Sequence, residues 1–319
     1  MKNNLLLIGL CALFLISCDK KNAYMPTVIS PGSIQAQSAE KIQDINSNIA
    51  KTSSGYIGPD FKAQSSLPVL ARHANAVLLA QGQDIVLDDG SFKASLEQQP
   101  ASANFDENFV CVVDKGNKIS IFNRQNSRLL IEQEGQPSYG VDAAFASPIF
   151  YENLIIAPSL DGNVHVFDMT VQQGIFELQS GYDNFFNNII LLAVEHDRLI
   201  ISSHSKLLSF NLKTKALKDF GARISFAKIR NSQIYLALNS GDMKKLDLDL
   251  NELKSKEFRF ANFKDFAVGD RVFALEEQGY LISTNLELED LRVYKEKLKG
   301  LSFSNNSAFY FNSKSLPLK

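Results

Sequence analysis

The chain has no tryptophan, only three cysteines and only four histidines in 319 residues. His73, His165, His196 and His204 include no pair with metal-ligand spacing, so the sequence offers no metal site. It also lacks a nucleophile elbow, a phosphate-binding loop and a paired-cysteine motif. Catalytic, cofactor-binding and metal-binding residues are therefore assigned to none. Lys plus Arg total 33 against 35 for Asp plus Glu, a net charge of -2, and the absence of a basic excess argues against a nucleic-acid partner. The longest leading apolar run, Leu5 to Ile16, is too short to span a bilayer comfortably.

That run has a basic start, Met1-Lys2-Asn3-Asn4, and ends at Leu15-Ile16-Ser17-Cys18. The arrangement resembles a bacterial lipoprotein signal peptide with its lipobox. The resemblance implies cleavage of residues 1–17, lipidation of Cys18 (palmitate among its acyl chains) and a membrane-attached chain facing the periplasm. The outer membrane is the expected site. Asp19 resembles an inner-membrane retention signal of the enteric sorting system, so the inner membrane stays open. With Cys11 in the leader and Cys18 lipidated, Cys111 is the one free thiol and no intramolecular disulfide can form. It lies in the apolar run Phe109-Val110-Cys111-Val112-Val113, which predicts a buried small hydrophobe and not a nucleophile.

Residues 18–66 have little sustained apolar periodicity and are broken at Pro26, Pro31-Gly32, Gly55 and Gly58-Pro59. They read as a flexible tether, with one short helix expected over Ala39 to Ala50 on the spacing of Ile42, Ile45 and Ile49. The folded domain is expected over 67–319, roughly 250 residues, a size at which an all-β domain often stays single.

Within it, short apolar segments pair across polar turns. The turns fall near residues 82, 116, 162, 205, 241, 279 and 313. Leu154-Ile155-Ile156-Ala157, turning at Leu160-Asp161-Gly162-Asn163 into Val164-His165-Val166-Phe167, is one clear unit. Glycine suits these turns, since a tight hairpin asks for a positive φ. A third strand follows an Asx turn in most units, and a further short strand leads into the next. Repeats of about 40 residues with four strands each are propeller blades. The expectation is an all-β propeller of seven four-stranded blades, with six and eight as alternatives because of the long gap between Leu130 and Leu154. The last unit lacks room for a fourth strand, so the segment Ser66–Ala71, or one upstream of it, is expected to complete the ring.

The stretch Asp161-Gly162-Asn163-Val164-His165-Val166-Phe167-Asp168 resembles the pyrroloquinoline-quinone-type propeller repeat. With no tryptophan to dock the blades, packing between them falls to other residues, foremost the 23 phenylalanines. A lipid-anchored propeller with this repeat resembles the BamB family, eight-bladed lipoprotein scaffolds of the outer-membrane β-barrel assembly machinery. The resemblance implies a non-enzymatic protein-binding scaffold whose partners are envelope proteins, with that machinery foremost. The alternative is a propeller that binds a polysaccharide, peptidoglycan or a surface ligand. Tyr182, Phe185 and Phe186, set among Asn and Asp, are the candidate partner-binding residues, with packing between blades as the competing reading, and Phe145 is grouped with them. His165 is expected on a polar, exposed strand face, and Asp88-Asp89 in a turn.

Overall fold

The computed structural model describes residues 23–137, 144–181 and 188–318. Eight four-stranded antiparallel sheets form, each a blade of a propeller. The expectation of seven is corrected to eight. Blade 1 spans 44–63, blade 2 69–95, blade 3 100–134, blade 4 149–179, blade 5 191–221, blade 6 224–257 and blade 7 263–295. Blade 8 combines Phe303–Ser304, Ala308–Phe311 and Lys314–Pro317 with Gln37–Ser38 as its outermost strand.

All seven turns read from the sequence lie between the second and third strands of blades 2 to 8. The eighth sits inside the segment read as tether. Ile49–Lys51 turns through Gly55 into Tyr56–Ile57, flanked by Asp44–Asn46 and Lys62–Ala63. These strands have two or three residues each, too few to show an alternating pattern. The expected helix over 39–50 does not form. Its apolar residues face neighbouring blades: Ile42 packs beside blade 8, and Ile49 beside blade 2. Gly55 has φ 154, and a Cβ there would meet the Ala63 carbonyl oxygen, so only glycine fits this turn. The strand that completes the ring comes from upstream of residue 66, with Gln37 opposite Ser315 and Ser38 opposite Lys314.

The core is a ring of eight clusters, one at each blade-to-blade interface. Ala101, Cys111 and Ile121 of blade 3 meet Ile155, Phe167 and Met169 of blade 4. Phe92, Phe105, Phe122, Phe145, Phe167, Phe266, Phe309 and Phe311 are buried at such interfaces, doing the wedging that tryptophan would otherwise do. Phe145, grouped above with the loop aromatics, is thus a core residue. The two interfaces of blade 1 are the smallest, with five and four buried residues, against thirteen between blades 2 and 3.

The fourth strand of each blade is a sheet edge facing solvent. Glu252–Glu257, with sequence Glu-Leu-Lys-Ser-Lys-Glu, is exposed throughout, and such alternating charge discourages edge-to-edge pairing. On blade 7 that edge is partly covered. Ser30 donates its backbone N–H to the Val293 carbonyl at 2.7 Å, and the Ser30 hydroxyl accepts from the Val293 N–H at 3.1 Å. No helix among the described residues is long and apolar enough to cross a membrane.

Candidate functional site

An antiparallel meander puts all turns between second and third strands, and all connections between blades, at one end of the ring. The other turns lie at the opposite end. There, a groove of about 450 Å³ crosses blades 1 to 4, lined by Phe61, His73, Phe105 and Phe150. Arg124 and Glu107 extend it outward in an adjoining depression that His73 shares.

The groove is built by short-range geometry. Asp106 Oδ1 accepts the N–H groups of Asn108 and Phe109 at 2.7 and 2.8 Å, fixing the turn after the first strand of blade 3. That turn brings Glu107 to His73, with Oε1 2.8 Å from Nε2. The bond to His73 holds the Glu107 carboxyl below its usual range. Arg124 donates to the Asp106 carbonyl at 2.8 Å, and its guanidinium lies 5.1 Å from the centre of the Phe105 ring. An aromatic floor with a half-exposed imidazole, a carboxylate and a guanidinium can bind a mixed polar and apolar protein surface.

The second feature lies on the axis. The innermost strands Ile224–Arg230 and Phe263–Val268 carry bulges, between Ile224 and Phe226 and between Phe263 and Asp265. A bulge breaks the alternation of side chains, so both Lys264 and Asp265 line a cavity of about 490 Å³ that Lys228 and Phe226 also face. Burial raises the Asp265 carboxyl to about 6, against the opposing pull of Ser302 and Lys228. Burial also lowers the Lys228 ammonium, against the attraction of Asp265.

The residues singled out from the sequence fall elsewhere. Tyr182, Phe185, Phe186 and the lipidation candidate Cys18 lie outside the described residues. His165 is buried and not exposed: Nδ1 is 3.5 Å from the Glu177 carboxylate, and burial lowers its pKa. Asp88 Oδ1 accepts the Val77 N–H of the second strand of blade 2, and Asp89 Oδ1 accepts the Ser91 N–H within the turn. Cys111 is fully buried, and burial pushes its thiol up. Among the described residues, no three or more His, Cys, Asp or Glu are grouped to hold a metal ion. The groove and axial residues carried no motif; isolated charges on separate blades meet only when neighbouring blades pack together.

These features define an eight-bladed propeller in which the segment from Gln37 to Ala63 is woven into the ring. No protein-family model matches the chain. Its fold is similar to that of BamB from Moraxella catarrhalis, with a TM-score of 0.63 and 12% identity, covering 92% of this chain and 98% of that one. It is also similar to the computationally designed Ika8 protein, with a TM-score of 0.61 and 17% identity, covering 88% and 96%. In sequence it is similar to the plasminogen-binding protein PgbB of two Helicobacter pylori strains, 25% identical over 232 and 231 residues. Those matches take in 67% of this chain and 42% of the relatives, so the chain spans about two fifths of their length.

Proposed function

We propose that this protein is a non-enzymatic, lipid-anchored scaffold that faces the periplasm and binds protein partners of the bacterial envelope. The anchor is lipid on Cys18, and the outer membrane is its site. The observation that carries the binding role is the groove over blades 1 to 4, where Phe61, His73, Phe105 and Phe150 lie beside Arg124. Aromatic and arginine side chains dominate the energetics of protein interfaces, and here strands and the short turns at their ends hold them in place. Likeness of fold to BamB supports a place in outer-membrane β-barrel assembly.

Crosslinking in intact cells, affinity isolation and mass spectrometry test this reading. Recovery of the barrel insertase with its lipoproteins supports it. Recovery of glycan, or of an inner-membrane complex without the insertase, overturns the assembly role.

A second reading has one observation in its favour. The similarity to plasminogen-binding proteins over two thirds of the chain favours a propeller that binds a soluble surface ligand. Retention of the chain on immobilised plasminogen, abolished by Arg124→Ala, would favour this second reading.

A further inference from the structure

The first described residues dock on the ring almost at once. Tyr24 is buried, with its ring 6.2 Å from Phe258 and 5.7 Å from Tyr280, both edge-on. Phe258 lies in the connection from blade 6 to blade 7, and Tyr280 begins the third strand of blade 7. Tyr24 therefore sits at the end of the ring opposite the groove. From there the chain passes Val293 on the outer edge of blade 7 before completing blade 8 at Gln37–Ser38.

This arrangement sets a short leash. Six steps of chain separate Cys18 from Tyr24, which can reach at most about 20 Å. A tether running to residue 66 would let the domain turn freely, but this one cannot. Around the docking point, apolar side chains stand in the open: Met25 is 81% exposed, Val28 69% and Ile29 51%. Phe260, two residues beyond the Phe258 ring that Tyr24 contacts, is 43% exposed. Cations accompany them. The Arg259 guanidinium lies 4.8 Å from the Phe260 ring centre, and the Lys295 ammonium 3.9 Å from that of Tyr280. Exposed apolar groups beside a tyrosine and long basic side chains match the interfacial zone of a bilayer with anionic headgroups.

We propose that Tyr24 docks the anchor so that the blade 6–7 corner rests on the membrane, with Met25, Val28 and Phe260 in the lipid interface and the groove turned away from it. The inference rests on lipidation of Cys18. An amphipathic surface alone binds lipid weakly, whereas a nearby acyl anchor keeps it at the interface continuously. Fixed orientation then presents the groove to partners standing farther from the bilayer.

The test uses the full-length lipidated chain on vesicles of phosphatidylethanolamine and phosphatidylglycerol. With Cys111→Ser in each, an environment-sensitive probe is placed at Met25→Cys, at Phe260→Cys, and at Leu217→Cys on the outer strand of blade 5. The mass of the N-terminal peptide reports lipidation separately. The expected result is emission shifted to the blue and quenched by spin-labelled lipid at 25 and 260, but not at 217. Adding Tyr24→Ala should abolish quenching at 260 while leaving it at 25. Unlipidated Cys18 would overturn the anchor and this orientation together. A lipidated, vesicle-bound chain with all three probes in water would overturn the orientation alone.

Discussion

Gln37 lies opposite Ser315 in the outermost strand pair of blade 8, so a residue near the start of the described chain seals the sheet that holds its end. The ring is therefore closed by non-covalent pairing alone, and the neighbouring interface with blade 1 rests on few side chains. Ile42, Ala50 and Ile57 meet Phe303 and Tyr310 there.

Truncation at that interface should be felt by the whole ring. Ile57→Ala removes buried volume between blades 1 and 8 and should cost about 2–4 kcal/mol in urea unfolding. Leu217→Ala, on an exposed outer strand, should stay within about 0.5 kcal/mol. Equal effects of the two would show that blade 1 is not part of the cooperative unit.

Cys111 should behave as a core residue. Its thiol is buried and pushed up, so a water-soluble disulfide reagent should leave it unmodified in the native protein and react fully in guanidinium. Rapid native reaction would contradict the packing of blades 3 and 4.

The axial carboxyl makes stability depend on pH in a defined direction. The Asp265 carboxyl rises from 3.8 to about 6 on folding, so the folded state holds its proton more tightly than the unfolded chain. Its contribution is complete below about pH 4 and is lost as pH rises through 6. Asp265→Asn should therefore flatten the fall in stability between pH 4 and 7.5, by on the order of 2–3 kcal/mol. An unchanged slope would mean that Asp265 is hydrated in the axial cavity.

The architecture was legible in the sequence wherever strands were long enough to declare themselves. Phe109 to Val113 and Val164 to Phe167 are apolar enough to stand out and are bounded by recognisable turns, and the seven hairpins follow from such runs. Blade 1 escaped because Asp44–Asn46 and Tyr56–Ile57 are too short to show a period, and Gly55 and Gly58-Pro59 around them read as linker. Its one visible signal was Gly55 between Ile49-Ala50 and Tyr56-Ile57, a hairpin in miniature. The site was less legible. His73, Glu107 and Arg124 come from different turns on blades 2 and 3, and only the folded ring brings them within reach of one another. Lys228 and Asp265 carry no local mark of an axial position, which only the packed blades give them.

Occupancy of the groove tests the central claim most directly. A photo-crosslinking amino acid would be placed at Arg124 in the groove, and at Leu217 on the outer strand of blade 5, in the full-length chain in intact cells. The scaffold account predicts a discrete crosslink from position 124 to an envelope protein, none from 217, and loss of the product on adding His73→Ala. Crosslinks from 217 alone, or none from either position, would contradict a protein-docking role for this face.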